Sequence, residues 1–160
     1  MSAKTQSSSD TVAEQPVPAQ AQAETRNWIA VVPRDHALEN IGGDFAMLEH
    51  GKLGPLLRLT PGDWLIYYSP RSLQSGGEVL KAFTAIGTVR DAEPYQIRMD
   101  GGAMGFRRDI NWLSATEIQL ADLTQKLDFT RGSWGMLARR GLFEITDADR
   151  RVIRAAMTGG

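Results

Sequence analysis

"HGKLGPLLRLTPGDWLIYYSP" (residues 50–70) decides how this chain reads. Its centre, Thr60-Pro61-Gly62-Asp63, combines a proline that presets φ with a glycine and a short acid, which is turn chemistry. The turn hands the chain to Trp64–Ser69, a run of large apolar residues that predicts a buried strand. Because side chains alternate along a strand, Tyr67 and Ser69 share one face and Tyr68 takes the other. Polar and aromatic groups at the end of a buried strand point to delivery at a pocket. A tyrosine that simply packs and a serine that simply turns the chain are the plainer alternatives.

Working outward, "NWIAVV" (27–32) predicts another buried strand, halted at Pro33. "HALENIGGDFAMLEH" (36–50) is interrupted by Gly42-Gly43 and predicts one or two short helical turns. "SLQSGGE" (72–78) is a loop. "KAFTAIGTVRD" (81–91) is the most strand-like stretch, with "YQIRMD" (95–100) expected as its antiparallel partner and "FRRDINWL" (106–113) as a further strand. Leu120, Leu123 and Leu127 stand at helical spacing. "TDADRRVIRAAM" (146–157) opens with Thr146 as a helix cap and Asp149 in the capping-box position, followed by the apolar stripe Val152, Ile153, Ala156 and Met157. The class is α+β: a compact domain around a strongly bent mixed sheet or small barrel, with helices inserted near one end and a C-terminal helix.

Residues 1–26 hold no aromatic side chain and are rich in Ser, Ala, Gln, Pro and Thr, so a disordered tail is expected there, with one folded domain over 27–160. The chain has no cysteine, which excludes a disulfide framework and a cysteine-based zinc site and fits a reducing cytoplasm. No apolar run approaches a membrane span and the N-terminus lacks a secretory apolar stretch, so a cytoplasmic, membrane-free protein is expected. The tail carries two bases and three acids, and the remainder carries 16 of each. A protein gripping a duplex along many phosphates would be basic, so any nucleic-acid role must rest on a local pocket. Arg107-Arg108, Arg139-Arg140 and Arg150-Arg151 are the candidate patches.

The order of these pieces resembles the EVE domain of the PUA-like superfamily, and in particular the bacterial proteins that contain little besides that domain. "NWIAVVPRDH", "HGKLGPLLRLTPGDWLIYYSP", "KAFTAIGTV", "EPYQIRM", "FRRDINWL" and "SWGMLARRGLFEI" carry the resemblance over about residues 27 to 157. It implies a PUA-like pseudo-barrel with a pocket at one rim that takes up a modified base, a modified cytosine such as 5-methylcytosine in DNA or a modified base in RNA. There are two departures. Glu49 stands where the family often carries a small residue or cysteine, and "SWGMLARRG" lacks the usual aromatic and Phe-Arg pair, which puts in doubt any role for Met136 through Arg139.

A base pocket needs flat surfaces for stacking and a few fixed donors and acceptors. The candidate ligand-binding residues are Trp28, His50, Gly51, Lys52, Tyr67, Tyr68, Ser69 and Trp134, the last expected in a glycine-flanked loop; Arg107 and Arg108 are the candidate phosphate contacts. Core packing is the competing reading for Trp28, as it is for Trp64 and Trp112. No cofactor or metal is called for, and a monomer is expected. The rival function is a lysine-based amidohydrolase of the ASCH-type relatives, built on Lys52 and Glu49 with a threonine. It requires a lysine of lowered pKa.

Overall fold

The computed structural model describes residues 25–159, so all but the last two residues of the expected tail lie outside the described residues. The Thr60–Asp63 turn does more than reverse the chain. Asp63 is fully buried, and its carboxylate accepts from the backbone N–H of Arg26 and of Thr60 and from Nε1 of Trp28, each at 2.9 Å. One carboxylate thereby fixes the start of strand β1 (Asn27–Val31) beside the start of strand β3 (Trp64–Arg71). The two run parallel, in register from Asn27↔Trp64 to Val31↔Tyr68.

Between them lie helix α1 (Arg34–Gly42), strand β2 (Phe45–Ala46) and helix α2 (Leu53–Leu57). Helix α1 is nine residues long, longer than the turns expected, and it stops at the glycine pair as the sequence suggests. Strand β4 (Val79–Val89) pairs antiparallel with β3. Its other side is shared: the C-terminal part pairs with β6 (Met104–Trp112) and the N-terminal part with β7 (Ile118–Gln119). A strand that hands its edge from one neighbour to another must bend. The bend is visible as a bulge, since Tyr67 faces Ala85 while Tyr68 faces Phe83, and Thr84 is passed over.

Strand β5 (Tyr95–Arg98) pairs with β6, not with residues 81–91 as expected. Both edges of β4 at that level are already occupied by β3 and β6, and the short connection through Gly101-Gly102 folds β5 onto its sequence neighbour. Strand β8 (Leu142–Ile145) closes the other edge, antiparallel to β1. The sheet order is β2-β6-β4-β3-β1-β8, with β5 on β6 and β7 on β4.

The curled sheet buries both faces. Trp28, Ala30, Leu65, Tyr67 and Ile110 pack with Leu48, Leu56 and Leu59 on the inner face. Ile29, Ile66, Tyr68, Phe83 and Phe143 pack on the outer face against helix α4 (Asp147–Thr158) through Ile153 and Met157. Leu120, Leu123 and Leu127 are buried there too, yet their segment forms three short 3₁₀ turns and no continuous helix. The reason is Asp149. Thr146 caps α4 as predicted, accepting from the Asp149 N–H at 3.2 Å, but the Asp149 carboxylate does not reach back to close a capping box. It accepts from the N–H groups of Asp128 (2.8 Å) and Phe129 (3.0 Å), and so pins the chain just after Leu127. Residues 134–139, expected as loop around Trp134, form helix α3 (Trp134–Arg139). No helix among the described residues is long and apolar enough to cross a membrane.

Asp149→Ala leaves two backbone donors without an acceptor beneath a buried position, so it should cost about 3 kcal/mol of stability. Urea unfolding of the variant measures this. A loss under about 1 kcal/mol would mean that water replaces the carboxylate at no cost.

Candidate nucleic-acid interface

The parallel strands β1 and β3 end together, and the segments that leave them meet the start of β8 at one rim. The Ser69 hydroxyl is fully buried there. It donates to the Val32 carbonyl at 2.6 Å and lies 2.8 Å from the Thr84 hydroxyl. It therefore ties together the end of β1, β3 and the bulged residue of β4, and both of its bonds are made within the fold. Tyr67, on the same face, is also fully buried. Its hydroxyl donates at 2.6 Å to the amide oxygen of Asn40, which also accepts from the Met47 N–H at 3.0 Å. Its ring meets Trp112 edge-on at 4.9 Å, and burial pushes its phenol well above the ordinary range.

Tyr68 points to the outer face. Its ring meets Trp134 edge-on at 5.3 Å and Phe83 at 5.8 Å, and Phe129 closes on Trp134 at 5.9 Å. Burial raises the Tyr68 phenol. Trp134 is half-buried and begins α3, held on an aromatic bed with part of its ring still open. Ser69 and Trp134 thus share the rim but lie on opposite sides of β3. The two hollows described, each about 460 Å³, are bounded elsewhere: one by Phe129, Ile145 and Asp149 among others, the other by Ser114 and Met157.

Two expected contacts, Trp28 and Arg108, are corrected by their surroundings. Trp28 is buried at the opposite end of β1, bonded to Asp63, with the Arg58 guanidinium 5.0 Å over its ring. Arg108 is buried, and its Nη1 donates to the carbonyls of Leu56 (3.0 Å) and Leu59 (2.7 Å). It caps the C-terminus of α2 and is no phosphate arm; desolvation lowers its pKa. Arg150 belongs to the scaffold as well, bonded to Asn27 at 3.0 Å and stacked 5.1 Å over Trp64. Arg107 differs. It alternates to the other side of β6, half-buried, with its guanidinium 3.8 Å over the Phe45 ring.

The unusual feature of the rim is its backbone. Glu49 (φ 47°), His50 (φ 64°) and Gly51 (φ 89°) are three consecutive residues in the left-handed region. The N–H groups of Gly51 and Lys52 both donate to the Leu48 carbonyl, at 3.0 and 3.2 Å, and buried Leu48 anchors the turn in the inner core. Only glycine fits at position 51, because an added Cβ would lie 3.1 Å from the Gly105 Cα. For Glu49 and His50 such a conformation costs about 1–2 kcal/mol each, and strain of this kind gathers at functional sites. The side chains of Glu49, His50 and Lys52 have no hydrogen-bond or ion-pair partner among the described residues. Glu49 lies against Gly141, itself at φ 80°, whose added Cβ would stand 3.1 Å from the Glu49 Oε2. Gly141 in turn accepts from the Val31 N–H at 2.8 Å. Sequence reasoning missed this pairing, although "ARRG" followed by an apolar run is a helix-stop signal that identifies Gly141 as the residue after a helix.

With this geometry in view, the comparisons with known proteins are direct. The model of the EVE domain family matches residues 26–156. The chain belongs to the EVE domain family. A UPF0310 protein of Mesorhizobium japonicum is 47% identical over 134 residues, covering 81% of this chain and 90% of that protein. UPF0310 proteins of Mycobacterium avium and Bacillus subtilis are each 42% identical, covering 82% and 83% of this chain and 97% and 92% of their own lengths. A solved hypothetical protein from Leishmania major superposes with a TM-score of 0.54 at 10% identity, over 82% of this chain and 94% of that one, a likeness of fold. The curled mixed sheet, with four α-helices among the described residues, is the PUA-like pseudo-barrel of this EVE domain.

Ser69→Ala removes the partner of a buried carbonyl and of a buried hydroxyl, so it should destabilise the EVE domain by about 1–3 kcal/mol. Thermal unfolding reports the loss. A variant as stable as the parent, but altered in ligand preference, would return Ser69 to the ligand.

Proposed function

We propose that this EVE domain reads a modified nucleobase, a cytosine derivative in DNA or RNA, without changing it chemically. The observation that carries the reading is the left-handed turn at the rim: strained backbone is maintained where the His50 and Lys52 side chains are exposed and have no partner among the described residues. The turn presents the His50 and Lys52 side chains to the border of a planar ring, while the half-buried Trp134, backed by Tyr68 and Phe129, offers a surface to stack on. Arg107, lifted on the Phe45 ring, is the residue assigned to a phosphate. A domain of zero formal charge suits one held nucleotide with one or two phosphate contacts, not the coating of a duplex.

The hydrolase reading finds less support. A lysine acting as base or nucleophile needs enclosure to lose its proton, and Lys52 is exposed at the edge of the turn.

Fluorescence anisotropy with single- and double-stranded oligonucleotides carrying plain cytosine or 5-methylcytosine, in DNA and RNA, tests the proposal. The modified base should bind more tightly. Trp134→Ala should weaken that binding by about 1–3 kcal/mol, and His50→Ala and Lys52→Ala should weaken it in a protein that melts like the parent. Uniform weak binding, untouched by all three substitutions, would reject it.

A further inference from the structure

We infer that the Glu49 carboxylate selects the edge of the bound base by accepting a hydrogen bond from its exocyclic amino group. The site then takes the amino edge of a cytosine in preference to the keto edge of a uracil or thymine. This rests on the base-reading proposal and adds to it the group that discriminates.

Three observations converge on Glu49. The first is its backbone: at φ 47° it opens the left-handed turn, so its side chain leaves the chain in a direction that an ordinary turn would not give. The second is its seat. Cγ, Cδ and Oε2 lie 3.4, 3.3 and 3.1 Å from the position of an added Gly141 Cβ, so the missing side chain of Gly141 is the space that the carboxylate uses. Gly141 adjoins β8 and accepts from Val31 near the end of β1, which holds the carboxylate at the rim. The third is that Glu49 is half-buried and its carboxylate takes no donor from the described residues, although His50 and Lys52 lie one and three positions further along the chain. A fixed acceptor with its lone pairs free is complementary to an N–H donor and repels another acceptor.

Ionised, a carboxylate only accepts. The 4-amino group of cytosine donates to it, just as Glu and Asp carboxylates accept from that group in base recognition. The 4-keto oxygen of thymine would place two acceptors face to face, and a buried polar group left unmatched is costly. 5-Methylcytosine and thymine share the 5-methyl group and the ring outline but present opposite hydrogen-bonding patterns at position 4, so the pair isolates the edge from stacking and shape. A glutamine at position 49 keeps size and the same backbone demand, yet its amide can also donate.

The test compares dissociation constants for one oligonucleotide carrying either 5-methylcytosine or thymine at a single position, for the parent domain, Glu49→Gln and Glu49→Ala. The parent should prefer 5-methylcytosine by roughly tenfold to a hundredfold. Glu49→Gln should bring that ratio close to one, and Glu49→Ala should weaken 5-methylcytosine binding while strengthening thymine binding, because the opposed acceptor is gone. Circular dichroism melts separate a folding defect from a change of preference, because the ratio of the two affinities is independent of the folded fraction. A parent that prefers 5-methylcytosine, with a ratio preserved in Glu49→Gln, overturns the assignment of Glu49 alone. Equal binding of the two bases by the parent overturns it too. A parent that binds neither oligonucleotide removes the base-reading proposal and this inference together.

Discussion

A single hydroxyl holds the rim. The bulge that bends β4 leaves Thr84 outside the ladder, and the abrupt end of β1 at Pro33 leaves the Val32 carbonyl beside it. Ser69 engages both. A buried carbonyl or hydroxyl left without a partner costs about 1–3 kcal/mol, so without Ser69 two such groups would resist the bend that curls the sheet. Everything built at that rim depends on this junction: the turn into α1, the approach of the 49–52 segment and the docking of Gly141 on Val31. This explains why a residue that reads in sequence as a ligand contact is spent inside the fold.

The two buried charges nearest the inner face follow a related logic. Asp63 and Arg108 do not form an ion pair. Asp63 takes three N–H donors, two of them backbone, at the start of the parallel pair, and Arg108 gives Nη1 to two carbonyls at the end of α2. Each ion is stabilised by groups that a strand start or a helix end leaves unsatisfied. The inner face thus gets its fixed points from charge set against backbone, and Leu48, Leu56 and Leu59 fill the space between. Asp149 repeats the device on the outer face, where it fixes the 3₁₀ segment.

Much of this was legible in the residues. Turn chemistry at 60–63, the apolar runs at 27–32 and 64–69, and the Thr146 cap are local signals, and local signals survived folding. Alternation along 67–69 correctly separated Tyr67 and Ser69 from Tyr68. It could not say which covering element each face would meet, and so it could not tell that Trp134 would pack on Tyr68 while Ser69 turned inward. The leucine spacing at 120–127 was right about burial and wrong about a helix, because a carboxylate some twenty residues further on decides the backbone there. Arg107 and Arg108 looked alike as neighbours; strand alternation sent one over an aromatic ring and the other beneath α2.

The site itself was the least legible part, for a reason that lies in its construction. A left-handed residue that is not glycine leaves little trace in composition, since its conformation is imposed from outside. Here Leu48 anchors the turn in the core, Gly51 closes it against Gly105, and Gly141 leaves room for the Glu49 side chain. Three distant segments must agree before Glu49 and His50 adopt a conformation that neither favours. Once folding meets that cost, the backbone of the turn is set before any ligand arrives, and it needs little further ordering on binding. Flexible side chains on a relaxed loop would have to lose their freedom in the complex. On the proposed base-reading role, the strained arrangement favours discrimination, because a misplaced hydrogen bond cannot be relieved by letting the loop move.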